Sequence, residues 1–330
     1  MDVTPPDIPL RPEGPSPQSA LADRLVQRAL LLTSQVLGRV IDEGEFLSPA
    51  GVHGVRVAIK RLRAGWRLLA PALPLQAAQA ETRLQTLHHA LAVDRSRFVR
   101  LATLQRECAG SDDPDLRAAF DVLSQVPPFA GTGEGLSTRG LAETVGRTFR
   151  AESRAWRELG AAAHTADVRP ALRRAYRRLR EAAHAAHRAD PEGWHRWRLR
   201  LKRVLYQLEL VTGPGDALPP GLLAQWRTLA DQLGRLQDLE DLRGVLGELR
   251  SPTHARAGLR VAEHVRDRQR RLFRKVKAAR DEAFALRPRD FVRLLGDDAG
   301  GARSGAAEAG GAADGDDGAT AAANVQVAGQ

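Results

Sequence analysis

Cysteine, long apolar runs and aromatic residues are all scarce in this chain of 330 residues, and each scarcity excludes a class of protein. The single cysteine, Cys108, cannot form an internal disulfide, which excludes a disulfide-bonded scaffold and favours a reducing compartment. The longest apolar stretches, such as 29–37, are too short to span a bilayer. Residues 1–20 have prolines where an export signal needs an apolar run. We therefore expect a cytoplasmic protein with no membrane partner.

Lysine is scarce as well, because only four lysines occur among the 50 basic residues. The net charge of +10 is unevenly distributed along the chain. Residues 296–330 hold six acids and one base, which leaves a net charge of +15 on residues 1–295. A body of this charge favours polyanionic partners such as nucleic acid, an anionic membrane or an inorganic phosphate polymer.

Period-two alternation is rare in the body of the chain, where apolar residues instead recur at three- and four-residue spacing. The sequence therefore predicts an all-α domain over residues 20–295. We expect residues 1–19, which are rich in proline, and residues 296–330, which are rich in alanine, glycine and aspartate, to be disordered, since neither segment has enough apolar residues to offset the entropy of folding. The predicted helices are 20–42, 50–70, 75–107, 113–125, 136–159, 166–188, 192–211, 219–249 and 254–286.

Two segments share the skeleton His-x-x-Arg-x-x-x-Lys-Arg: VHGVRVAIKRLR at 52–63 and WHRWRLRLKRVL at 194–205. Each segment is followed by a Pro/Gly break and a long helix, which indicates a duplicated helical unit. A Pro/Gly-rich stretch at 127–135 separates the copies. Each half, about 20–130 and about 136–290, has the size of a four-helix bundle.

Helical periodicity sorts both segments into a cationic stripe and an apolar face. The first stripe consists of His53, Arg56, Lys60, Arg63 and Arg67, and the second of His195, Arg198 and Lys202. Arg61 and Arg203 flank the two stripes. Like charges at this spacing repel one another, and neither stripe contains an acid, so the pattern favours an anion-binding surface over a solvated face.

The lysines and histidines of the stripes refine this prediction. Two of the four lysines, Lys60 and Lys202, occupy matched positions, which indicates a need for a compact point charge rather than the planar fork of arginine. A neutral imidazole can donate to a phosphate oxygen, and a protonated imidazole is stabilised by it. The alternative for His53 and His195 is a capping role near a helix start.

These residues resemble the CHAD domain, the conserved histidine α-helical domain. LGRLQDLEDL at 233–242 is also similar to a segment of that family. The resemblance implies one domain of two four-helix-bundle halves, related by pseudo-two-fold symmetry around a basic central cavity. It implies non-catalytic binding of inorganic polyphosphate, often on cytoplasmic granules. Carried over by position, the ligands are His53, Arg56, Lys60, Arg61, Arg63, His195, Arg198, Lys202 and Arg203.

Leu205 occupies the place in the second copy that Arg63 has in the first, so we expect the preceding helix to supply charge. Arg173, Arg177 and Arg180 share one face of that helix, and Arg174 and Arg178 share another. Periodicity alone leaves open which set faces the cavity. Our predicted ligand set includes Arg67, Arg173 and Arg177.

Sequence-independent binding of RNA or DNA through the phosphate backbone is the main alternative function. The scarcity of aromatic residues disfavours base stacking but leaves backbone binding open. A phosphate-hydrolysing enzyme would need carboxylates for Mg²⁺, and the stripes contain none, so we expect no catalysis, no metal and no cofactor. The basic run at 266–277 either extends the anion surface or is a generic basic face. The acidic segment 296–330 is expected to compete weakly for the cavity.

Overall fold

Prolines and glycines begin and separate a series of α-helices. The computed structural model describes residues 17–91, 95–109, 111–127, 129, 140–159, 162–163, 165–187, 190–213 and 216–295. In these residues the helices are α1 (Pro17–Glu43), α2 (Pro49–Leu69), α3 (Pro74–Ala90), α4 (Arg95–Leu104), α5 (Pro114–Leu123), α6 (Leu141–Glu158), α7 (Arg169–Ala185), α8 (Pro191–Val211), α9 (Leu222–Leu246), α10 (Pro252–Ala283) and α11 (Pro288–Arg293). No strand occurs in the described part of the chain, and the all-α prediction is confirmed.

The two helices that carry the repeated motif, α2 and α8, begin in the same way. Ser48 caps α2 by accepting a hydrogen bond from the backbone N–H of Gly51, at 2.9 Å, and Asp190 caps α8 through Gly193, at 2.8 Å. A proline follows each capping residue, where its missing N–H costs nothing. The shared start places His53 and His195 at equivalent positions, each the fifth residue of its helix.

The predicted apolar faces of α2 and α8 are buried, as their periodicity indicates. The buried residues are Val55, Ala58, Ile59, Leu62, Trp66 and Leu69 in α2, and Trp197, Leu201, Val204 and Leu208 in α8. Behind α2, Trp66 Nε1 donates to the fully buried carboxylate of Glu152, at 2.8 Å. Arg83 of α3 also donates to Glu152, so one carboxylate connects α2, α3 and α6.

Helices α2 and α8 run antiparallel and cross closely. The contacting pairs occur in opposite order along the two helices: Arg61 with Glu209, Ala64 with Gln207, and Arg67 beside Arg203. A Cβ atom added at Gly65 would lie 3.1 Å from Leu210 Cδ1 and 3.1 Å from Leu25 Cδ1, which is tighter than ordinary packing. The absence of a side chain at residue 65 therefore permits the close crossing.

The two halves of the sequence are interleaved in the fold. Helices α4 and α5, from the first half, pack against α9 and α10 of the second. A separate apolar cluster forms there around Leu104, Cys108, Leu242 and Val265. The pseudo-two-fold relation between the halves stays a prediction. A displacement of 142 residues makes position 61 equivalent to 203 and position 67 equivalent to 209. The contacts Arg61–Glu209 and Arg67–Arg203 therefore join equivalent positions, as such a relation predicts.

Two helix predictions need correction. The predicted helix 75–107 is two helices, because α3 ends at Ala90 and α4 runs from Arg95 into a π-helical turn at Gln105–Ala109. The short helix α11 was not predicted. Its sequence is too short for periodicity to reveal, and its position depends on Phe291 packing against Tyr176 with ring centroids 4.0 Å apart.

The described helices belong to one compact unit that extends to Asp297. The second unit, Asp298–Gln330, lies outside the described residues, as do residues 1–16 of the predicted disordered segment 1–19 and the whole of 296–330. Helix α1 begins at Pro17, so residues 17–19 are helical. No helix in the described ranges combines the length and apolarity needed to cross a bilayer.

Candidate anion-binding site

The cationic stripes of α2 and α8 meet in one pocket beside the helix crossing. This α2–α8 pocket has a volume of about 300 Å³. Its basic lining residues are Lys60, Arg63, Arg67, His88, Arg198, Lys202 and Arg203, and the remaining lining residues are Ala64, Leu199 and Tyr206. Among the described residues that line it, none is acidic. The two matched lysines therefore share one cavity, as the repeat predicts.

A second pocket continues the first along α8. This α7–α8 pocket, of about 290 Å³, is lined by Arg67, Ala171, Arg174, Ala175, Arg178, Arg200, Arg203 and Gln207. Arg67 and Arg203 line both pockets, so the two form a continuous basic cleft. Arg200 Nη1 donates to the carbonyl oxygen of Arg178, at 2.6 Å, and thereby holds α7 against α8 at the cleft.

Six of the twelve predicted ligands line the α2–α8 pocket: Lys60, Arg63, Arg67, Arg198, Lys202 and Arg203. His53 is exposed at the start of α2, and Arg56 is buried beneath the cleft, where its Nη1 donates to the carbonyl oxygen of Leu91 at 2.5 Å. Arg61 donates to Glu209 at 2.9 Å and lies over the ring of Tyr206. These three residues therefore stand beside or below the pocket instead of lining it.

The structure also decides which face of α7 contributes to the cleft. Ala171 and Ala175 pack toward α8, and Arg174 and Arg178 lie on the same face at helical spacing. Arg173 and Arg177 do not line the cleft, because they lie on the neighbouring face of α7, in a groove with α11. That Arg173 and Arg177 bind polyphosphate stays a prediction. Arg174 and Arg178 are the pair that lines the cleft, a choice that helical periodicity could not make.

Glu81 of α3 partly compensates the first stripe. It accepts hydrogen bonds from both Arg63 and Arg67, the latter at 2.9 Å. Burial by itself raises the pKa of Glu81, but the hydrogen bonds and charges of the two arginines outweigh burial and hold its pKa below the ordinary value. The stripe itself contains no acid, and the neighbouring helix α3 supplies the carboxylate that compensates it.

Arg203, which flanks the second stripe, lies among other cations. Burial, together with the charges of Arg67, Arg200 and Arg178, lowers the pKa of Arg203 to about 10, against the opposing effect of Glu81. The Nε atoms of Arg198 and Arg203 are buried and have no hydrogen-bond partner among the described residues. Crowded cations and unsatisfied buried donors both cost free energy, which an anion in the cleft would offset.

His88 is a pocket residue that the sequence did not reveal. Burial, together with the charges of Arg56, Lys60, Arg63 and His89, lowers the pKa of its ring to about 4. Its Nε2 atom is buried and has no hydrogen-bond partner in the described part of the chain. The ring therefore adds a neutral polar group, capable of taking up a proton, to an otherwise cationic pocket.

The segment 233–242 of α9 supports the second copy from behind. Nδ1 of the exposed His195 lies 3.1 Å from Oε1 of Gln237, whose Nε2 donates to Asp241 at 2.9 Å. The guanidinium of Arg198 lies over Gly234, within ordinary contact distance of an added Cβ. These contacts orient one predicted ligand and seat another against α9. His195 itself does not line either pocket of the cleft.

No group of three or more histidine, cysteine or acidic side chains in the described ranges is arranged to hold a metal ion. His88 lies among cations, and Cys108 is buried in the α4–α5–α9–α10 cluster, where burial and the charge of Glu107 raise its pKa to about 12. Cys108 is therefore a core residue in this fold.

The fold and site define an all-α protein with a cationic cleft between two antiparallel, repeated helices. The family model of the CHAD domain matches residues 39–247, which is well over half of the chain. The protein therefore belongs to the CHAD domain family. The matched residues include α2, α8 and α9, whereas α10 and α11 lie beyond them. Comparisons with curated proteins and with solved structures found no match.

Proposed function

We propose that this protein binds inorganic polyphosphate in its basic cleft without cleaving it. The observation that carries the proposal is the convergence of Lys60 and Lys202, with four arginines, on one pocket whose described lining contains no acid. We further propose that binding takes place in the cytoplasm, on polyphosphate granules. Family membership supports these proposals, since the resemblance of the doubled motif to CHAD domains implies the same ligand.

The chemistry of the cleft suits a dense, featureless polyanion. Polyphosphate carries about one negative charge per phosphate, and its oxygen atoms accept hydrogen bonds on all sides. Arginine forks and lysine ammonium groups bind such oxygens by charge-assisted hydrogen bonds, and they release counterions from the polymer. The buried Nε donors of Arg198 and Arg203 would gain acceptors that the described residues do not provide.

Nucleic-acid binding is the competing function, and the aromatic residues argue against it. All five tryptophans are buried in the core, where they cannot stack on bases. Tyr206 is the aromatic residue among those that line the cleft, and its ring already lies beneath Arg61. Binding of a nucleic-acid backbone by charge alone is the outcome that the following experiment separates from polyphosphate binding.

The test is a competition at equal phosphate concentration among long-chain polyphosphate, single-stranded RNA and double-stranded DNA, repeated over a range of salt. The cleft variant replaces four cations with glutamine: Lys60, Arg198, Lys202 and Arg203. The matched control replaces four exposed arginines of α6, outside the cleft: Arg147, Arg150, Arg154 and Arg157. Both variants lose the same net charge, so only position distinguishes them.

We expect the wild type and the control to prefer polyphosphate and the cleft variant to lose binding. The loss should be on the order of 10-fold per removed contact, since a charge-assisted hydrogen bond contributes about 1.5 kcal/mol. Equal binding of all three polyanions would contradict the proposal, as would equal losses in the cleft variant and the control. Release of orthophosphate by the wild type, absent in the cleft variant, would contradict the non-catalytic part.

A further inference from the structure

A second basic surface lies between α7 and α11. This α7–α11 groove has a volume of about 730 Å³, larger than either pocket of the cleft. Six arginines line it, against the single acid Asp290 among the described lining residues: Arg173, Arg174, Arg177, Arg287, Arg289 and Arg293. The positive charges on this surface repel one another and attract polyanions.

The groove is preformed, because α11 is anchored firmly to the core. The fully buried Phe291 stacks on Tyr176, with ring centroids 4.0 Å apart, and on Trp226, at 5.8 Å. The hydroxyl of Tyr176 donates to the carbonyl oxygen of Leu286 at 3.1 Å, at the start of α11. The backbone N–H of Ala217 donates to the carbonyl oxygen of Leu294 at 2.9 Å, at its end. The arginines of α11 therefore project from a fixed support.

Most of the charge in the groove is uncompensated. Two of its arginines make long, exposed ion pairs within their own helices: Arg177 with Glu181 at 3.7 Å, and Arg293 with Asp290 at 3.8 Å. Such exposed ion pairs contribute little to the free energy of folding. Arg287 and Arg289 form no ion pair with any described residue.

The groove adjoins the basic cleft. Arg174 lines both the α7–α8 pocket and the α7–α11 groove, so cationic side chains continue from the cleft across α7. The connection runs from Lys60 and Lys202 through Arg67 and Arg203 to Arg174. Residues of α11 lie beyond position 247, where the match to the CHAD family model ends. The groove is therefore built partly from residues that the family match does not include.

We propose that the α7–α11 groove is a second subsite for polyphosphate, which binds the part of a long chain that leaves the cleft across α7. The inference rests on the function proposed for the cleft and adds a dependence on chain length. To occupy both sites a chain must pass over α7, whose diameter with side chains is about 10 Å. Tripolyphosphate is too short for that path and binds in the cleft alone.

The test compares the affinities of the full-length protein for tripolyphosphate and for long-chain polyphosphate, measured by calorimetry over a range of salt. The groove variant replaces the three arginines of α11 with glutamine: Arg287, Arg289 and Arg293. The matched control replaces three exposed arginines of α6: Arg147, Arg150 and Arg154. The cleft variant described above is measured in parallel.

We expect the groove variant to bind tripolyphosphate as the wild type does and long-chain polyphosphate about 10-fold more weakly. Its salt dependence for the long chain should fall by about two units of slope, at about 0.7 per lost contact. The control variant should bind both tripolyphosphate and long-chain polyphosphate as the wild type does.

Unchanged long-chain affinity in the groove variant would overturn the inference, and so would equal losses in the groove variant and the control. Stronger long-chain binding by the groove variant would also overturn it. In each of these cases, loss of both ligands in the cleft variant would leave the proposed function standing. Wild-type binding of both ligands by the cleft variant would instead refute the proposed function.

Discussion

Polyphosphate binding to this protein should strengthen as the pH falls, and His88 should be responsible. Burial and the cations of α2 lower the pKa of His88 from 6.5 to about 4, so the ring is neutral at neutral pH. A bound phosphate would reverse the electrostatic part of that effect, since its negative charge stabilises imidazolium. Binding should therefore be coupled to the uptake of one proton.

The size of the effect follows from linkage. If bound phosphate restores the ordinary pKa of 6.5, affinity at about pH 5 exceeds affinity at about pH 7 by about 20-fold. The ring is only half-buried, and solvent screening reduces the expected ratio to about 5-fold. Below the pKa of the empty form the enhancement levels off, because His88 is then protonated with and without ligand.

The assay measures the affinity for long-chain polyphosphate at constant ionic strength over this pH range. His88→Gln should bind about as tightly as the wild type at neutral pH and lose the enhancement in acid. The matched control is His89→Gln, at the exposed neighbouring position of α3, which should keep the enhancement. Histidines elsewhere are common to all three proteins and cancel in the comparison. An undiminished acid enhancement in His88→Gln would refute the reasoning.

Three further perturbations test the packing and charge of the cleft. Gly65→Val should lower the free energy of unfolding by about 1–3 kcal/mol, because the side chain overpacks the α2–α8 crossing, and denaturant unfolding would measure this. Glu81→Gln should raise polyphosphate affinity several-fold while lowering the free energy of unfolding by about 1 kcal/mol, because it releases two cleft arginines. Replacing the six acids of 296–330 with amides should raise polyphosphate affinity at low salt only, if that segment competes for the cleft.

A control or a contradicting result is defined for each of these three predictions. Gly38→Ala, on α1, adds a Cβ with nothing within 4 Å and should not destabilise the protein, so an equal loss there would show that Gly65 has no special role. Weaker polyphosphate binding in Glu81→Gln would show that the carboxylate positions its arginines for the ligand. Unchanged low-salt affinity in the amide variant would exclude competition by the acidic segment.

The local structure of the two motif helices could be read from the sequence. The predicted helices 50–70 and 192–211 agree with Pro49–Leu69 and Pro191–Val211 within one residue. Their apolar faces are buried as the 3.6-residue period predicts. Both predictions concern residues that are neighbours along one helix, where backbone geometry alone decides which side chains share a face.

Which residues line the cleft could be predicted only in part, because the cleft combines residues from different helices. Periodicity does not say which helix will lie opposite a given face, and so it did not reveal His88 and Glu81, which α3 brings to the first stripe. It also did not indicate that Arg61 would turn to Glu209. The twin histidines of α3 were visible in the sequence, but no local signal placed them among cations.

By itself, the sequence determined an all-α fold, a doubled basic helix with a lysine at each matched position, and a body that carries a strong positive charge. Only the tertiary structure decided that the two lysines share one pocket and that α4 and α5 pack on the second half of the chain. It also decided that Arg174 and Arg178 line the adjoining α7–α8 pocket, whereas Arg173 and Arg177 line only the groove with α11. The physical reason is that helix periodicity is a local property. The choice of neighbouring helices depends on contacts between residues far apart in sequence, such as the crossing at Gly65.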